Sequence, residues 1–328
     1  MRRILGLVLF GVAGFLVTAA LLAGTYVPGA MKKTPLDTDS ITRLSGYAEA
    51  LPNGGPSPVK ALSHTVANGE LSDADVVVFD TFTCLVKDDG SVQDCTDDES
   101  DESLLVTAST DTFATDRRTG MAVQDAMYVS ADSKHEGLVN KFPFDVEQKT
   151  YPFWDGVLGR AVDAVFQGEE ELDGLNTYRF AIDVQDVPAE IADGVAGLYT
   201  SEKTMWIDPV TGAIIKQEEH QVRKFRGVPQ LDLDFGFTDE TVAANIESAK
   251  SSGSRLSMLG TAPWILGVLG LVALVAGALL FRGSSPRSED SELESDQPPV
   301  ADDTDYLDRT DQFFDEAETR RSRREAAE

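Results

Sequence analysis

The apolar segment at residues 262–281 constrains this chain more than any other feature. Its twenty residues carry no charged side chain, and Arg282 follows directly. A helix of about twenty residues is ~30 Å long, which matches the hydrocarbon thickness of a bilayer. The sequence therefore predicts a membrane-spanning helix near the carboxyl end, and the other segments are placed relative to it.

A second apolar run, residues 4–27, opens the chain behind two arginines. It is longer than the ~7–15 apolar residues of a secretory signal peptide, and no typical small-residue cleavage site follows it. An uncleaved transmembrane helix is therefore favoured over a cleaved signal. The predicted domains are an N-terminal transmembrane helix (1–27), an extracytoplasmic β-rich domain (28–255), a C-terminal transmembrane helix (256–282) and a disordered acidic cytoplasmic tail (283–328).

The charge of the chain is strongly negative, with 28 Lys and Arg against 56 Asp and Glu, a net of −28. Residues 28–255 hold 19 basic and 41 acidic side chains, a net of −22. Such a surface repels nucleic acid, so no nucleic-acid partner is expected. The two spans make membrane lipid the expected partner instead.

The two cysteines, Cys84 and Cys95, lie on either side of Asp89-Gly90, a pair favoured in two-residue hairpin turns. A hairpin folded there places the cysteines directly opposite each other, close enough for a disulfide. No further cysteine is present to complete a metal site, and no metal is predicted. A disulfide indicates an oxidising compartment, so we expect the central domain outside the cytoplasm and both termini inside it.

The central domain is predicted to be antiparallel and mainly β, giving a membrane-anchored α+β fold. Residues 76–82 form a nearly continuous apolar run, whereas 178–184 and 231–237 alternate between apolar and polar side chains. A short helix is predicted at 188–193, with Pro188 in its first turn.

The pattern becomes helical again from Thr238, with Val242, Ile246 and Ala249 along one side. Acidic stretches at 99–102 and 169–173 are predicted as solvated loops or turns. Residues 306–328, which change from acidic to basic, either dock a cytoplasmic partner or form a plain soluble tail.

Two segments share the form D-x-x-T-G, at 116–120 and 208–212. Each fits a type I turn followed by a left-handed glycine, Gly120 or Gly212. The similarity has two interpretations, which are two related β-halves of one domain or a common turn used twice.

Three motifs make the chain resemble a known family: KFPF at 141–144, YPFWD at 151–155 and TMWIDPVTG at 204–212. With two terminal spans around an acidic β-rich domain, residues 1 to about 282 resemble the actinobacterial PorA-type porins. The resemblance implies a cell-envelope protein with a channel function and supplies no catalytic residues. Because two helices enclose no aqueous pore and neither span has a polar stripe, a channel requires several copies of the chain.

A second resemblance concerns residues 167–180, which are similar to hairpins of periplasmic lipoprotein carriers and lipid-binding lipoproteins. It implies a curved half-barrel around acyl chains. On this basis the first functional hypothesis is a non-catalytic envelope protein that binds a hydrophobic ligand or an envelope component. The candidate cavity-lining residues are Tyr151, Phe153, Trp154 and Trp206, and the alternative is that these aromatics form ordinary core.

The remaining hypotheses are an oligomeric porin or permeability component, and a structural tether whose tail recruits a partner. An enzyme is not predicted, because the three histidines are widely spaced and no nucleophile elbow or phosphate-binding loop is present. No cofactor is predicted either, and the sequence does not indicate an oligomeric state.

Overall fold

The computed structural model describes residues 2–52, 54–95 and 103–282. The acidic loop predicted at 99–102 and the tail predicted at 283–328, including its candidate docking segment, lie outside the described residues.

The described chain contains three helices and ten strands. They are α1 (Arg2–Thr25), α2 (Val27–Met31), β1 (Asp39–Ala50), β2 (Ser57–Asn68), β3 (Val76–Lys87), β4 (Leu105–Asp116), β5 (Tyr151–Asp155), β6 (Arg160–Leu172), β7 (Leu175–Ala192), β8 (Val195–Ile207), β9 (Ile214–Phe225), β10 (Val228–Phe237) and α3 (Asp239–Arg282).

All ten strands form one antiparallel sheet in the order β4-β3-β2-β1-β10-β9-β8-β7-β6-β5. Neighbours in the sheet are neighbours in sequence, except that the first strand pairs with the last, as in Leu44 opposite Phe237. The sheet curves into a half-barrel between the two terminal helices. The predicted fold class, terminal helices around an antiparallel and mainly β domain, is confirmed.

The segment between β4 and β5 joins the two edges of the sheet at one end. Isolated bridges connect Thr115 to Ala122, Met121 to Leu138, and Leu138 to Phe153. The Leu138 amide donates to the Pro152 carbonyl at 2.8 Å. The half-barrel is therefore closed at this end by backbone contacts through the 121–138 segment.

The same segment fills the concave face of the sheet. Leu138, Phe142 and Val146 come from this segment and pack against inward-facing residues of β5 to β8. The buried members of this core are Leu138, Phe142, Val146, Tyr151, Phe153, Ala164, Phe180, Ile182, Val184, Tyr199, Met205 and Ile207.

The cysteine segment differs from the predicted hairpin. Cys84 and Cys95 are joined in a disulfide with their Cα atoms 6.3 Å apart. Residues 88–95 form bends rather than a strand, and β3 pairs with β4 instead, with Cys84 opposite Ala108. The predicted hairpin with a two-residue turn at Asp89-Gly90 is wrong because β3 pairs along its length with β4, which begins at Leu105. Arg43 holds the intervening segment through an ion pair with Asp94 at 2.6 Å.

The predicted helix at 188–193 is also wrong, because residues 188–192 continue β7 and Asp193 lies in the turn that follows. Pro188 lies opposite Leu198 of β8. Proline is tolerated in a strand where its missing amide would face no partner strand, and β6 no longer pairs with β7 beyond Ala181.

The helical pattern predicted after Thr238 is confirmed. The Thr238 hydroxyl accepts from the Thr241 amide at 3.2 Å and caps α3. Ile246 and Ala249 are buried against Ile215 of β9. The helix then continues without a break through Pro263 to Arg282.

Candidate functional site

The helix pair is the first feature from which a function can be built. Two segments are long and apolar enough to cross a membrane, Ile4–Thr25 and Thr261–Arg282. They pack against each other in opposite directions. A Cβ added to Gly6 would lie 2.8 Å from the Phe281 ring, and one added to Gly24 would lie 3.5 Å from Pro263.

Small residues set the close approach of these helices. Pro263, Gly270 and Gly277 are seven residues apart, so they lie on one face of α3. A Cβ on Gly270 would lie 3.1 Å from Val17 of α1, whereas Gly267 has open space around it. Close approach at glycines strengthens van der Waals packing in membranes, where no hydrophobic effect drives the helices together. The spacing of seven was visible in the sequence, and the sequence interpretation did not use it.

Outside this contact the two spans remain uncovered. Only 11% of each apolar window is buried within the chain. Residues 4–25 and 261–281, which form the two spans, contain no charged side chain. A single helix pair therefore offers a surface for lipid or for other helices and no polar lining for a pore.

Tyr151 and Phe153, two of the predicted cavity aromatics, lie in the core on the concave face. Their exposed fractions are 7% and 5%. The Phe142 ring lies 5.4 Å from Tyr151 and 5.8 Å from Phe153. These two residues are brought together, and their neighbours are side chains of the same chain.

Trp154 and Trp206 lie elsewhere. The Trp154 ring packs at a tilt of 50° against His135, with the ring centroids 4.7 Å apart, at the joined edges of the sheet. Trp206 is buried beneath the Lys216 ammonium, which lies 4.5 Å from its ring centroid. The structure does not bring all four aromatics together around one cavity.

A network of buried polar groups covers the concave side of β8 and β9. The Tyr199 hydroxyl donates to Asp155 at 3.1 Å, and the Ser201 hydroxyl donates to Glu219 at 2.8 Å. The Lys203 ammonium lies 3.2 Å from Glu219. Burial, with the charges of Glu219 and Asp155, raises the pKa of Tyr199 well above its usual value. Because these groups satisfy one another, the network stabilises this wall of the half-barrel.

The turns predicted at 116–120 and 208–212 have the same hydrogen bonds. In each, the glycine amide donates to the aspartate carbonyl at 2.9 Å. Gly120 and Gly212 have φ values of 69° and 75°, and Gly90 has a φ of 80°. The sequence interpretation missed a third turn of this kind at 155–159, which lacks the threonine. Whether the first two turns record related halves stays open.

A groove of about 830 Å³ lies between the start of α3 and the outer face of the sheet. Its lining includes the carboxylates of Glu171, Asp173, Glu202, Glu218, Asp234 and Asp239, together with Lys216 and His220. Within residues 2–52, 54–95 and 103–282, no group of three or more His, Cys, Asp or Glu side chains is arranged to hold a metal ion. The groove therefore contributes a negative field that favours cations over anions.

Sequence comparison places these features in a family. The family model of porin PorA matches residues 5–279, which include both helices and the whole sheet. The chain belongs to the PorA porin family. The predicted resemblance is confirmed, and the match ends at residue 279, near the end of α3.

Two PorA relatives come from Corynebacterium species. A protein named porin PorA from Corynebacterium amycolatum is 22% identical, with 84% of this chain and 98% of the relative covered. Another porin PorA, from Corynebacterium resistens, is 23% identical, with 56% of this chain and 68% of the relative covered. The PorA names favour the predicted alternative, a porin or permeability component, over the hydrophobic-ligand hypothesis.

Proposed function

We propose that this protein is a non-catalytic permeability component of the cell envelope, which acts as an assembly of several copies in the membrane. Each copy spans the membrane twice, with both termini in the cytoplasm and the β-domain outside it. The observation that carries the proposal is the pair of apolar helices that pack directly on each other in a chain of the PorA family.

Several copies are needed because one copy encloses no pathway. Its two spans pack directly on each other at Gly6, Gly270 and Gly277. The concave face of its half-barrel is occupied by Phe142 and Val146 of its own chain. A pathway must then lie between copies, where the uncovered faces of the helices meet.

The negative extracytoplasmic domain gives this pathway its expected selectivity. Residues 28–255 carry a net charge of −22. A high density of one sign of charge at a pore entrance raises the local concentration of counter-ions. The assembly is therefore expected to conduct cations better than anions, and less selectively at high salt, where charges are screened.

The hydrophobic-ligand hypothesis has less support. Tyr151 and Phe153 contact other aromatic side chains of the core rather than an open cavity. Native mass spectrometry of the purified protein distinguishes the two proposals, since a bound lipid of constant mass would favour a carrier.

Ion flux from proteoliposomes tests the permeability proposal. Purified full-length protein is reconstituted into vesicles loaded with potassium chloride, and protein-free vesicles serve as the control. We expect potassium efflux that rises more steeply than linearly with protein density, because copies must assemble. Vesicles that stay tight at high protein density would contradict the proposal.

A further inference from the structure

The strands β6 and β7 separate part-way along their length. Their ladder runs from Leu172 opposite Leu175 to Val165 opposite Ala181 and ends there. Beyond that point, residues 160–164 of β6 pair with β5 along their other edge. Residues from 182 onward in β7 continue to pair with β8.

Two aspartates explain where the separation begins. If the register of Val165 and Ala181 continued, Asp163 would lie directly opposite Asp183. Like charges directly opposite each other destabilise a strand pair. Neither aspartate forms an ion pair with a residue of the described chain; Asp183 accepts a hydrogen bond from Gln185 at 2.7 Å.

The separation leaves a cleft of about 490 Å³ in the wall of the half-barrel. Its inner side is apolar, with Val162, Val184 and Val187 packed against the core. Its outer rim is polar and includes both aspartates. The cleft therefore combines an apolar floor with a polar mouth whose charged residues are Asp163, Asp183 and Arg160.

The walls of the cleft are strand edges. On the side facing the cleft, β7 has no strand partner among the described residues from Ile182 to the irregularity after Val184, and alternate residues of a strand direct their amides and carbonyls to each side. Edges of this kind accept an added strand, whereas an acyl chain would leave the same backbone groups without hydrogen bonds. The backbone thus favours a peptide occupant.

We propose that this cleft binds an extended segment of a partner protein, which adds a strand to the free edge of β7 and places a lysine or arginine between Asp163 and Asp183. The charge of the occupant follows from the two carboxylates, neither of which forms an ion pair within the described chain, and its extended form follows from the strand edges. Side chains on the inner side of the added strand are small and apolar, because they face Val162 and Val184.

Peptide binding tests the proposal on the full-length protein in nanodiscs. The probe is a fluorescent peptide of alternating valine and threonine with one central lysine. Matched probes carry glutamate in place of lysine, or methyl groups on alternate backbone nitrogens. We expect the lysine peptide to bind, and both matched probes to bind at least about tenfold more weakly.

Variants locate the binding site. The double variant Asp163→Asn, Asp183→Asn should weaken binding of the lysine peptide by about tenfold, whereas Asp193→Asn, in the exposed turn after β7, should leave it unchanged. A disulfide between Ala161→Cys and Gln185→Cys would hold the cleft closed and should abolish binding. Each single-cysteine variant is its control.

The outcomes that overturn the proposal are distinct. Unchanged binding to the double aspartate variant, or to the disulfide-closed protein, would place the peptide elsewhere. Equal binding of the methylated peptide would exclude strand addition. If calcium chloride or decanoate protects the cleft amides from hydrogen exchange while the lysine peptide does not, the cleft holds a cation or an acyl chain instead. Cross-linking of two copies through this cleft without peptide would make it a self-association surface.

Discussion

Lys141 lies in an environment that disfavours its charge. Its ammonium group lies 3.3 Å from the Thr34 hydroxyl and 3.7 Å from the centroid of the Phe144 ring. Burial lowers the pKa of Lys141 from 10.5 to about 8, and the nearby charge of Asp208 only partly opposes this. The side chain therefore binds its proton less tightly in the folded protein than in the unfolded chain.

The pH dependence of stability follows from this lowered pKa. Between pH values near 8 and 10.5, the unfolded chain holds more protons at Lys141 than the folded protein does. The free energy of unfolding should therefore rise as the pH increases through this window. Lys141→Met should remove that rise and increase the free energy of unfolding at neutral pH by roughly 2–3 kcal/mol.

Chemical denaturation at neutral and alkaline pH measures both effects. Lys149→Met is the control, because Lys149 is exposed and paired with Glu147 at 2.5 Å. A Lys141→Met variant that is less stable than the native protein at neutral pH would contradict this account of Lys141.

Gly212 holds the segment that fills the half-barrel. Its φ is 75°, and a Cβ at this position would overlap the carbonyl oxygens of Phe142 and Pro143. Its own carbonyl accepts from the Phe142 amide at 2.8 Å. Gly212 thus combines a left-handed backbone conformation with a close approach to the backbone of Phe142 and Pro143.

A comparison of two glycines separates these effects. Gly212→Ala should lower the free energy of unfolding by about 3 kcal/mol or more, because both strain and overlap act there. Gly194→Ala should cost only about 1 kcal/mol, since Gly194 has a φ of 68° but open space around it. Thermal unfolding monitored by tryptophan fluorescence provides the measurement, and equal losses would contradict the role given to the contact.

At the scale of elements, the separation of β6 from β7 should depend on like charge. Asp163→Lys would place a cation opposite Asp183 and favour pairing of the two strands. We expect slower hydrogen exchange at amides 182–185 in this variant. Asp193→Lys provides the same charge change away from the cleft, and slower exchange in both variants would contradict the explanation.

The helix pair allows a second test at this scale. Gly270→Leu would overlap Val17 and Leu16 and should separate α1 from α3, whereas Gly267→Leu meets open space. A double-cysteine variant, Leu9→Cys with Gly277→Cys, measures the contact between α1 and α3, because a Cβ on Gly277 would lie 3.5 Å from the Leu9 Cβ. Disulfide formation should be lost with Gly270→Leu and kept with Gly267→Leu. Its persistence in both variants would argue against the observed packing.

Elements with a local pattern were predictable from the sequence. The apolar spans and the face of α3 carrying Ile246 and Ala249 depend on periodicity within one segment. The error at Pro188 arose because a proline suits both a first helical turn and a free strand edge, and only the neighbouring strand decides between them. The partner of β3 was missed for the same reason, since pairing with β4 is a non-local choice.

The site was less predictable than the fold. Tyr151 and Phe153 carry the same apolar character in a cavity as in a core. Which of these occurs depends on whether Phe142, in the irregular segment before β5, folds back over the concave face. The cleft was not recognised, although Asp163 and Asp183 are both visible in the sequence, because their opposition appears only once the register is known.

At the scale of the whole molecule, the disulfide and the spans predict the orientation. A membrane-impermeant maleimide applied to intact cells should label Leu71→Cys, which lies on the exposed surface of the β-domain, and should not label Ser284→Cys in the tail. Permeabilised cells provide the control, in which both positions should react. If only Ser284→Cys were labelled in intact cells, the tail would lie outside the cytoplasm and the proposed topology would be contradicted.

Single-channel recording in planar bilayers tests the central proposal most directly. Full-length protein is added with potassium chloride at unequal concentrations across the bilayer. We predict discrete conductance steps whose reversal potential shifts towards the equilibrium potential of potassium. The frequency of these steps should rise steeply with protein concentration. Bilayers that stay silent at high protein load, or steps whose frequency is linear in protein concentration, would contradict a permeability pathway built from several copies.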